Sequence, residues 1–265
     1  TNLDYLKYMG MTHFSSGDMV KAKELLSQVI QADPKNVLGH YHIGLIDFQS
    51  GKYDQAVQSF QKVLEREKQN QNARYWKARA LEATGEPKQL RTAKSEYEQV
   101  SLVVQKVPEL KKELCDVHWR IGSIRSRTFA EWNEADADLS RYLKCSPKNA
   151  DAWFLRGRLR ADLGQLGNAI SDFERAAKLR PKLGKAYAQN AFTRMRKRKY
   201  NEKVVQSLLQ RSIRYDKALA RPHYVLCNMI KERNKSQARS HCQQYLKLAP
   251  KGDNAAEARL LLRSF

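Results

Sequence analysis

The sequence is poor in residues that interrupt regular structure. It contains only 12 glycines and 7 prolines in 265 residues, which argues against an all-β or disordered chain. Long apolar runs are also missing: the best cluster, Val100 to Val104, is far too short to cross a membrane, so no transmembrane segment is expected. Ala, Leu, Lys, Arg, Gln and Glu are abundant instead, and these residues favour helix. The composition therefore predicts a helical chain with enough apolar residues for one or two domains.

Cysteine is scarce as well. The four cysteines (Cys115, Cys145, Cys227, Cys242) are too few and too scattered for a disulfide scaffold. Each lies within a helical pattern, where a thiol usually behaves as a small buried hydrophobe. This favours a reducing compartment, and we expect a cytoplasmic protein. Because the sequence begins at Thr1 rather than Met, we treat it as an excerpt of a longer chain, which leaves an exported or periplasmic context open.

Acidic residues are few relative to basic ones. The formal net charge of +21 predicts attraction to something anionic, such as an acidic protein face, nucleic acid, a polysaccharide or a lipid surface. The excess is uneven, because residues 1–70 carry eight basic and eight acidic groups whereas residues 181–265 carry twenty and five. The last third therefore holds +15 of the total, and an electrostatic partner is expected to prefer the C-terminal end.

A pattern of about 34 residues recurs along the chain and is clearest in residues 149–181. Two helices are predicted there, over residues 151–163 and 166–180. Gly164 lies where a helix C-terminus needs a left-handed residue, and Pro181 closes the unit because it cannot extend a helix. Small residues stand where two helices must approach closely, and large apolar ones where a core must be filled: Gly157, Ala169 and Ala176, then Trp153, Leu159, Leu163, Ile170 and Phe173.

The spacing of Trp, Gly, Gly, Ala, Phe, Ala and Pro in this unit resembles the tetratricopeptide repeat (TPR) family. The resemblance implies an all-α fold, a right-handed superhelical solenoid of about seven TPR-like helix pairs with a C-terminal capping helix. We expect one continuous domain over residues 1–265, with a bend near Ser101–Leu114. The predicted units are residues 2–34, 36–69, 71–105, 115–147, 149–181, 183–217 and 218–250, and the capping helix is 253–265.

In TPR proteins the first helix of each pair lines a concave groove, and the resemblance implies which residues face it here. The implied groove residues are aromatic residues and arginines. Aromatic side chains offer contact area and arginine pairs bidentately with carboxylate, so this mixture suits an extended or helical peptide with acidic groups. The alternative is that some of these aromatic side chains pack between adjacent helices instead. The implied groove residues are Tyr41, Tyr75, Arg79, Trp119, Arg127, Phe154, Arg158, Phe192 and Arg196.

A run of basic residues at 194–199 is the strongest local charge feature. It has two interpretations, an anion-binding patch or a solvated helix end whose cations complement the helix dipole. Basic residues farther along the chain strengthen the first interpretation. The predicted basic patch consists of Arg194, Lys197, Arg198, Lys199, Arg211 and Arg214.

The sequence shows no pattern for chemistry. The clamp with which some TPR proteins hold chaperone tails is not matched, because Met11 and His42 stand where asparagines belong. Cys115 and His118 share a helix face but have no evident partners, and a structural zinc needs four ligands. No nucleophile motif, phosphate loop or paired acid stands out. We therefore expect no catalytic residues, no metal and no cofactor, and a chain that is not an enzyme.

Three functions follow from these patterns. The leading one is a scaffold or adaptor that binds an acidic peptide or protein segment in the concave groove and assembles a multiprotein complex. The alternative is a binder of an anionic polymer, either nucleic acid or an exported polysaccharide, through the basic C-terminal third. A third is self-association, because an open solenoid end or an irregular unit can pair with its copy.

Overall fold

The structure of the chain, a computed structural model, describes residues 2–104, 111–127 and 131–265. Helices are the only extended regular elements in these ranges, with no β-strand among the residues described. The helices are α1 (Leu3–Ser16), α2 (Met19–Ala32), α3 (Val37–Gln49), α4 (Tyr53–Arg66), α5 (Gln71–Thr84), α6 (Pro87–Val104), α7 (Lys111–Arg125), α8 (Trp132–Cys145), α9 (Ala150–Asp162), α10 (Leu166–Leu179), α11 (Gly184–Met195), α12 (Glu202–Tyr215), α13 (Ala220–Ile230), α14 (Lys235–Leu248) and α15 (Ala255–Ser264).

Most helices pack against their neighbour in the chain, as the repeat predicts. The closest pairs are α1 with α2, α3 with α4, α5 with α6, α9 with α10, α11 with α12, and α13 with α14. Helices α7 and α8 occupy the place of the predicted fourth unit, and α15 packs on α14 as the predicted capping helix should.

The helices group into two compact units, Thr1–Ile124 and Arg125–Phe265. The first unit has cores around Phe60 and Tyr97, and the second has cores around Phe173 and Leu209. The single continuous solenoid stays a prediction, and so does its bend. Residues 105–110 of the segment in which we expected that bend lie outside the described part of the chain.

The turns inside the pairs follow from the predicted glycines. Gly164, after α9, has a φ of +77°, a left-handed conformation that L side chains rarely adopt. The next amide, Gln165 N, donates to Arg160 O at 2.8 Å, which satisfies a carbonyl at the end of α9. At the start of α9 the Asn149 side chain accepts from the backbone N–H of Ala152 at 3.0 Å. Helix α9 therefore begins at a capping side chain and ends at a left-handed glycine.

A close contact between a small and a large residue holds the two helices of a pair together. A Cβ atom built on Gly157 would lie 2.9 Å from Cε1 of Phe173, whose side chain is fully buried. Gly157 is the eighth residue after the N-cap of α9, and Phe173 is the eighth after the N-cap of α10. Gly44 and Phe60 repeat this contact in α3 and α4. The predicted close approach of small and large residues is confirmed.

The seventh pair replaces this contact with a disulfide. Cys227 and Cys242, again the eighth residues after their N-caps, are bonded, with their Cα atoms 5.4 Å apart. Cys115 and Cys145 are disulfide-bonded as well. The expectation of four unbonded thiols is therefore wrong, because residues far apart in sequence meet across packed helices. The argument from cysteine to a reducing compartment loses its basis with it.

Two histidines lie beside this disulfide on the same two helices. The Nδ1 atoms of His223 and His241 are 3.0 Å apart, and both side chains are partly buried. Burial lowers the pKa of each imidazole below 6.5, and for His241 the neighbouring His223 lowers it further. Counted from the N-caps, the sixth pair has Tyr187 and Leu208 at these two positions. The seventh pair therefore has a titratable contact where the sixth has an apolar one.

The packing in α9 and α10 predicts the effect of one added methyl group. Gly157→Ala should lower the free energy of unfolding by about 1–3 kcal/mol, because the added Cβ would lie only 2.9 Å from the buried Phe173 ring. Gly167→Ala in α10 is the matched control: its Cβ would meet nothing within 4 Å, so the variant should be neutral or slightly more stable. Urea unfolding of both variants measures the difference, and equal midpoints would contradict the close contact.

The histidine pair predicts a loss of stability in mild acid. In the unfolded chain both imidazoles take up a proton near pH 6.5, whereas in the folded chain their pKa values are lower. The folded state therefore binds fewer protons, and its stability is complete above about pH 6.5 and falls as the pH decreases below that value.

The control carries the residues of the sixth pair, His223→Tyr with His241→Leu. Thermal unfolding at several pH values should show a smaller decrease for this variant than for the original chain. A decrease of the same size in both would assign the acid sensitivity to other groups.

Candidate partner-binding groove

The predicted groove residues of the first unit take part in packing. Tyr41 lies edge-on to the Phe60 ring, with 5.9 Å between ring centroids, and burial raises the pKa of its hydroxyl. The Tyr75 hydroxyl donates to Asp116 Oδ2 at 2.6 Å. The pKa of this hydroxyl is raised too, mainly by burial and secondarily by the contact with Asp116. Both side chains therefore pack between helices, as the alternative prediction for the groove aromatics stated.

Arg79 is enclosed by aromatic rings in the same unit. Its guanidinium carbon lies 4.8 Å from the ring centroid of Trp76, 5.1 Å from that of Phe48 and 6.0 Å from that of Tyr75. Such contacts between a cation and ring faces stabilise a buried charge. Its Nε is buried without a hydrogen-bond partner in the described residues. The structure thus brings together two predicted groove residues, Tyr75 and Arg79.

The next predicted residues lie around the end of α7. Trp119 is half-buried on that helix, and Arg127 is exposed in the turn after it. Phe154, on α9, is only 8% exposed and packs on Phe173 with 5.8 Å between ring centroids. Lys185 Nζ covers its ring at 4.7 Å from the centroid. Phe154 therefore belongs mainly to the core of its pair.

Three other predicted residues do meet, at a cavity of about 340 Å³ in the second unit. Arg158 of α9, Phe192 of α11 and Arg196 at the C-cap of α11 all line it. The first helices of three successive pairs contribute, since α13 supplies Arg221. We call this space the arginine cavity; it is lined by Arg158, Ala161, Asp162, Gln189, Phe192, Thr193, Arg196 and Arg221.

Two of the three arginines at this cavity are held in position by neighbouring groups. Arg196 Nη1 donates to the carbonyl oxygen of Ala161 at 2.7 Å, which binds it to the C-terminal turn of α9. The guanidinium carbon of Arg221 lies 4.7 Å from the centroid of the Phe192 ring. These contacts hold both side chains in place. Neither contact neutralises the charge, so both guanidinium groups remain cationic.

The electrostatics of α9 separate inward from outward arginines. Arg156 forms two hydrogen bonds to Asp172, at 2.8 and 2.9 Å, and Arg160 pairs with both Asp136 and Asp172. Arg158 lies between them in sequence, is exposed, and makes no ion pair within the described residues. Arg196 and Arg221, at the arginine cavity, are likewise exposed and make no ion pair within the described residues.

The predicted basic patch divides between a second cavity and the surface. Arg194 and Arg211 line a cavity of about 390 Å³ formed by α10, α11 and α12. Arg194 Nη2 donates to Glu174 Oε1 at 2.7 Å, and Arg211 Nη2 donates to the Tyr187 hydroxyl at 3.0 Å. Lys197, Arg198 and Lys199 are exposed in the loop between α11 and α12, and Arg214 is exposed on α12.

The described residues contain neither a cluster of metal-binding side chains nor a membrane-spanning helix. The described part of the chain holds no group of three or more His, Cys, Asp or Glu side chains that could bind a metal ion. Among the helices with described residues, none combines the length and apolar character needed to cross a bilayer.

Comparison with known proteins gives the repeat its family. Models of the tetratricopeptide repeat match residues 47–114 and residues 150–183. No curated protein sequence matches the chain.

Solved structures of repeat proteins match between 80% and 98% of this chain. The C-terminal part of a TPR repeat-containing protein from Cytophaga hutchinsonii is 13% identical with a TM-score of 0.71, covering 95% of this chain and 98% of that one. A tetratricopeptide repeat protein from Parabacteroides merdae is 16% identical with a TM-score of 0.58, covering 98% and 97%. YrrB, a TPR protein with an unusual peptide-binding site, is 18% identical with a TM-score of 0.62, covering 80% and 100%.

At these identities the likeness establishes the fold, so the predicted class, an all-α repeat of TPR-like helix pairs, is confirmed. The two family matches fall on α4–α6 with parts of α3 and α7, and on α9 with α10, where the predicted repeat is found in the helices. The chain therefore contains tetratricopeptide repeats in these two segments, and it has the fold of tetratricopeptide repeat proteins.

Proposed function

We propose that this chain is a scaffold that binds an acidic segment of a partner protein at the arginine cavity and so assembles a multiprotein complex. TPR repeats support a protein-interaction scaffold in general, and a fold of this kind is typically non-enzymatic. One observation carries the finer proposal: Arg158, Arg196 and Arg221 surround one cavity and none has a carboxylate partner in the described residues.

The chemistry of the cavity suits an acidic peptide. Guanidinium groups present planar donors that match carboxylates, and bonds between ionised partners are stronger than neutral ones. The Arg196 and Arg221 side chains are already ordered by Ala161 and Phe192, so less conformational entropy is lost on binding. YrrB, which has the same fold, is described as having a peptide-binding site, which favours a peptide as the occupant here.

The partner is proposed to contribute an acidic rather than an apolar surface. Of the side chains that line the cavity, only Asp162 is acidic, so three cations outnumber one anion. Phe192 supplies an apolar wall beside these charges. An extended segment with glutamate or aspartate near an apolar residue would match both features.

A charge reversal at the cavity tests this proposal. Arg158→Glu with Arg221→Glu should weaken binding of a fluorescent Glu-rich peptide at least about tenfold, because two charge-assisted contacts become repulsive. Arg196 is kept, since it also supports α9. Fluorescence anisotropy at fixed salt measures the affinity.

The matched control is Lys251→Glu with Arg263→Glu. These two residues are exposed in the same unit, lie away from the cavity, and give the same change in net charge. The control should keep nearly all of the affinity. If both double variants lose affinity equally, binding depends on net charge alone and the cavity is not the site.

The second proposal is that the basic third binds an anionic polymer. The exposed loop residues Lys197, Arg198 and Lys199 favour it, because they are free of ion pairs in the described structure and stand together. A partner of this kind would be nucleic acid or an exported polysaccharide.

A titration with heparin separates the two proposals. If the loop binds a polymer, affinity should fall steeply between about 50 and 200 mM salt, since counterions are released on binding. Replacing Lys197, Arg198 and Lys199 with Gln should reduce both the affinity and this salt slope. Weak binding that the replacement leaves unchanged would argue against the polymer proposal.

A further inference from the structure

A hydroxyl group on the wall of the arginine cavity makes no hydrogen bond within the described residues. Thr193 of α11 lines the cavity and is only 2% exposed, yet its hydroxyl makes no hydrogen bond within the described residues. A hydroxyl that lines a cavity and makes no bond to the protein can donate its proton to an acceptor on a ligand in that cavity. Gln189, one turn earlier on α11, also lines the cavity, and its side chain donates no hydrogen bond within the described residues.

The charge around this hydroxyl exceeds what a single carboxylate would neutralise. Arg158, Arg196 and Arg221 carry three positive charges, and Asp162 carries the one negative charge in the lining. Two positive charges therefore remain. A carboxylate brings one negative charge and two oxygens, whereas a phosphorylated side chain brings about −1.5 to −2 and three acceptor oxygens at neutral pH.

We propose that the arginine cavity binds a phosphorylated side chain of the partner segment, with the three guanidinium groups and the Thr193 hydroxyl donating to its phosphoryl oxygens. This inference rests on the proposed function, in which a partner peptide occupies the cavity. It adds the chemical class of the residue that is recognised.

The geometry supports this assignment in two further ways. The donors come from α9, α11 and α13, so they approach the cavity from three helices rather than from one. Two of the guanidinium groups are fixed before binding, by the Ala161 carbonyl and by the Phe192 ring. Fixed donors around a small space favour a compact anion with oxygens pointing in several directions.

Three peptides that differ at one residue test the proposal. An acidic peptide is made with serine, glutamate or phosphoserine at its centre, and each is titrated into the full chain by fluorescence anisotropy. The phosphoserine peptide should bind about tenfold tighter than the serine peptide, with glutamate between them, because charge-assisted contacts are added at one point.

The Thr193 hydroxyl is tested with a pair of variants. Thr193→Val removes the hydroxyl at nearly the same volume and should weaken the phosphoserine peptide several-fold while leaving the serine peptide unchanged. Thr193→Ser keeps a hydroxyl and should restore most of the loss. If Val and Ser variants bind the phosphoserine peptide equally, the hydroxyl takes no part.

The protonation of the phosphoryl group gives an independent readout. Its second pKa is about 6, so the advantage of phosphoserine over glutamate should shrink between about pH 7.5 and pH 5.5. Free inorganic phosphate and phosphoserine serve as competitors. If either displaces the peptide at the peptide's own concentration, the cavity recognises the free anion and the proposal of a partner segment is overturned.

The outcomes separate this inference from the proposed function. Equal affinity for the glutamate and phosphoserine peptides at every pH would overturn the inference and leave an acidic-peptide site. Failure of all three peptides to bind would overturn both. A tenfold preference that Arg158→Gln abolishes would support both together.

Discussion

The contact between a small residue on the first helix and a large one on the second determines how each pair is built. Where Gly157 meets Phe173, the absence of a side chain lets the helices come close enough for the ring to be fully buried. Gly44 and Phe60 do the same in the first unit, and the Cys227–Cys242 disulfide takes this place in the seventh pair. Because the position is the same in these three pairs, the outward face of each of their first helices is set as well.

That constraint decides which arginines are available for a partner. On α9, residues 156 and 160 turn toward the second helices, where Asp172 and Asp136 neutralise them. Arg158 faces the other way and meets residues from α11 and α13. Buried carboxylates thus hold some cations inside the fold, while the remaining ones gather at the arginine cavity. Recognition in this account depends on that division rather than on the net charge of the chain.

The helix pairs and their turns could be predicted from the sequence, because they depend on residues that lie close together within one repeat. Gly164 and Pro181 mark turns, and the spacing of Gly157 and Phe173 marks packing. Helical periodicity alone did not separate Phe154, which is buried on Phe173, from Phe192, which lines the cavity. The distinction depends on how neighbouring pairs pack, and no single repeat contains that information.

Two features were missed although the repeat contained a signal for them. Arg221 belongs to the seventh pair, for which no groove residue was predicted; it stands two residues after the N-cap of α13, the position that Lys185 occupies in α11. Cys227 and Cys242 both stand at the position of the close contact, which the alignment of the seventh unit would have paired. In contrast, the ion-pair partners of Arg156 and Arg160 lie 12 to 24 residues away in the sequence. These pairs could be identified only from the structure.

Arginine Nε–Hε NMR of the chain during titration with the Glu-rich peptide tests whether the arginine cavity is the binding site. If the acidic segment binds there, the signals of Arg158, Arg196 and Arg221 should shift together and saturate at one affinity. The signals of Arg156 and Arg160, already paired with carboxylates, should stay in place. Shifts confined to the exposed loop at residues 197–199, with the three cavity arginines unchanged, would contradict binding at the arginine cavity.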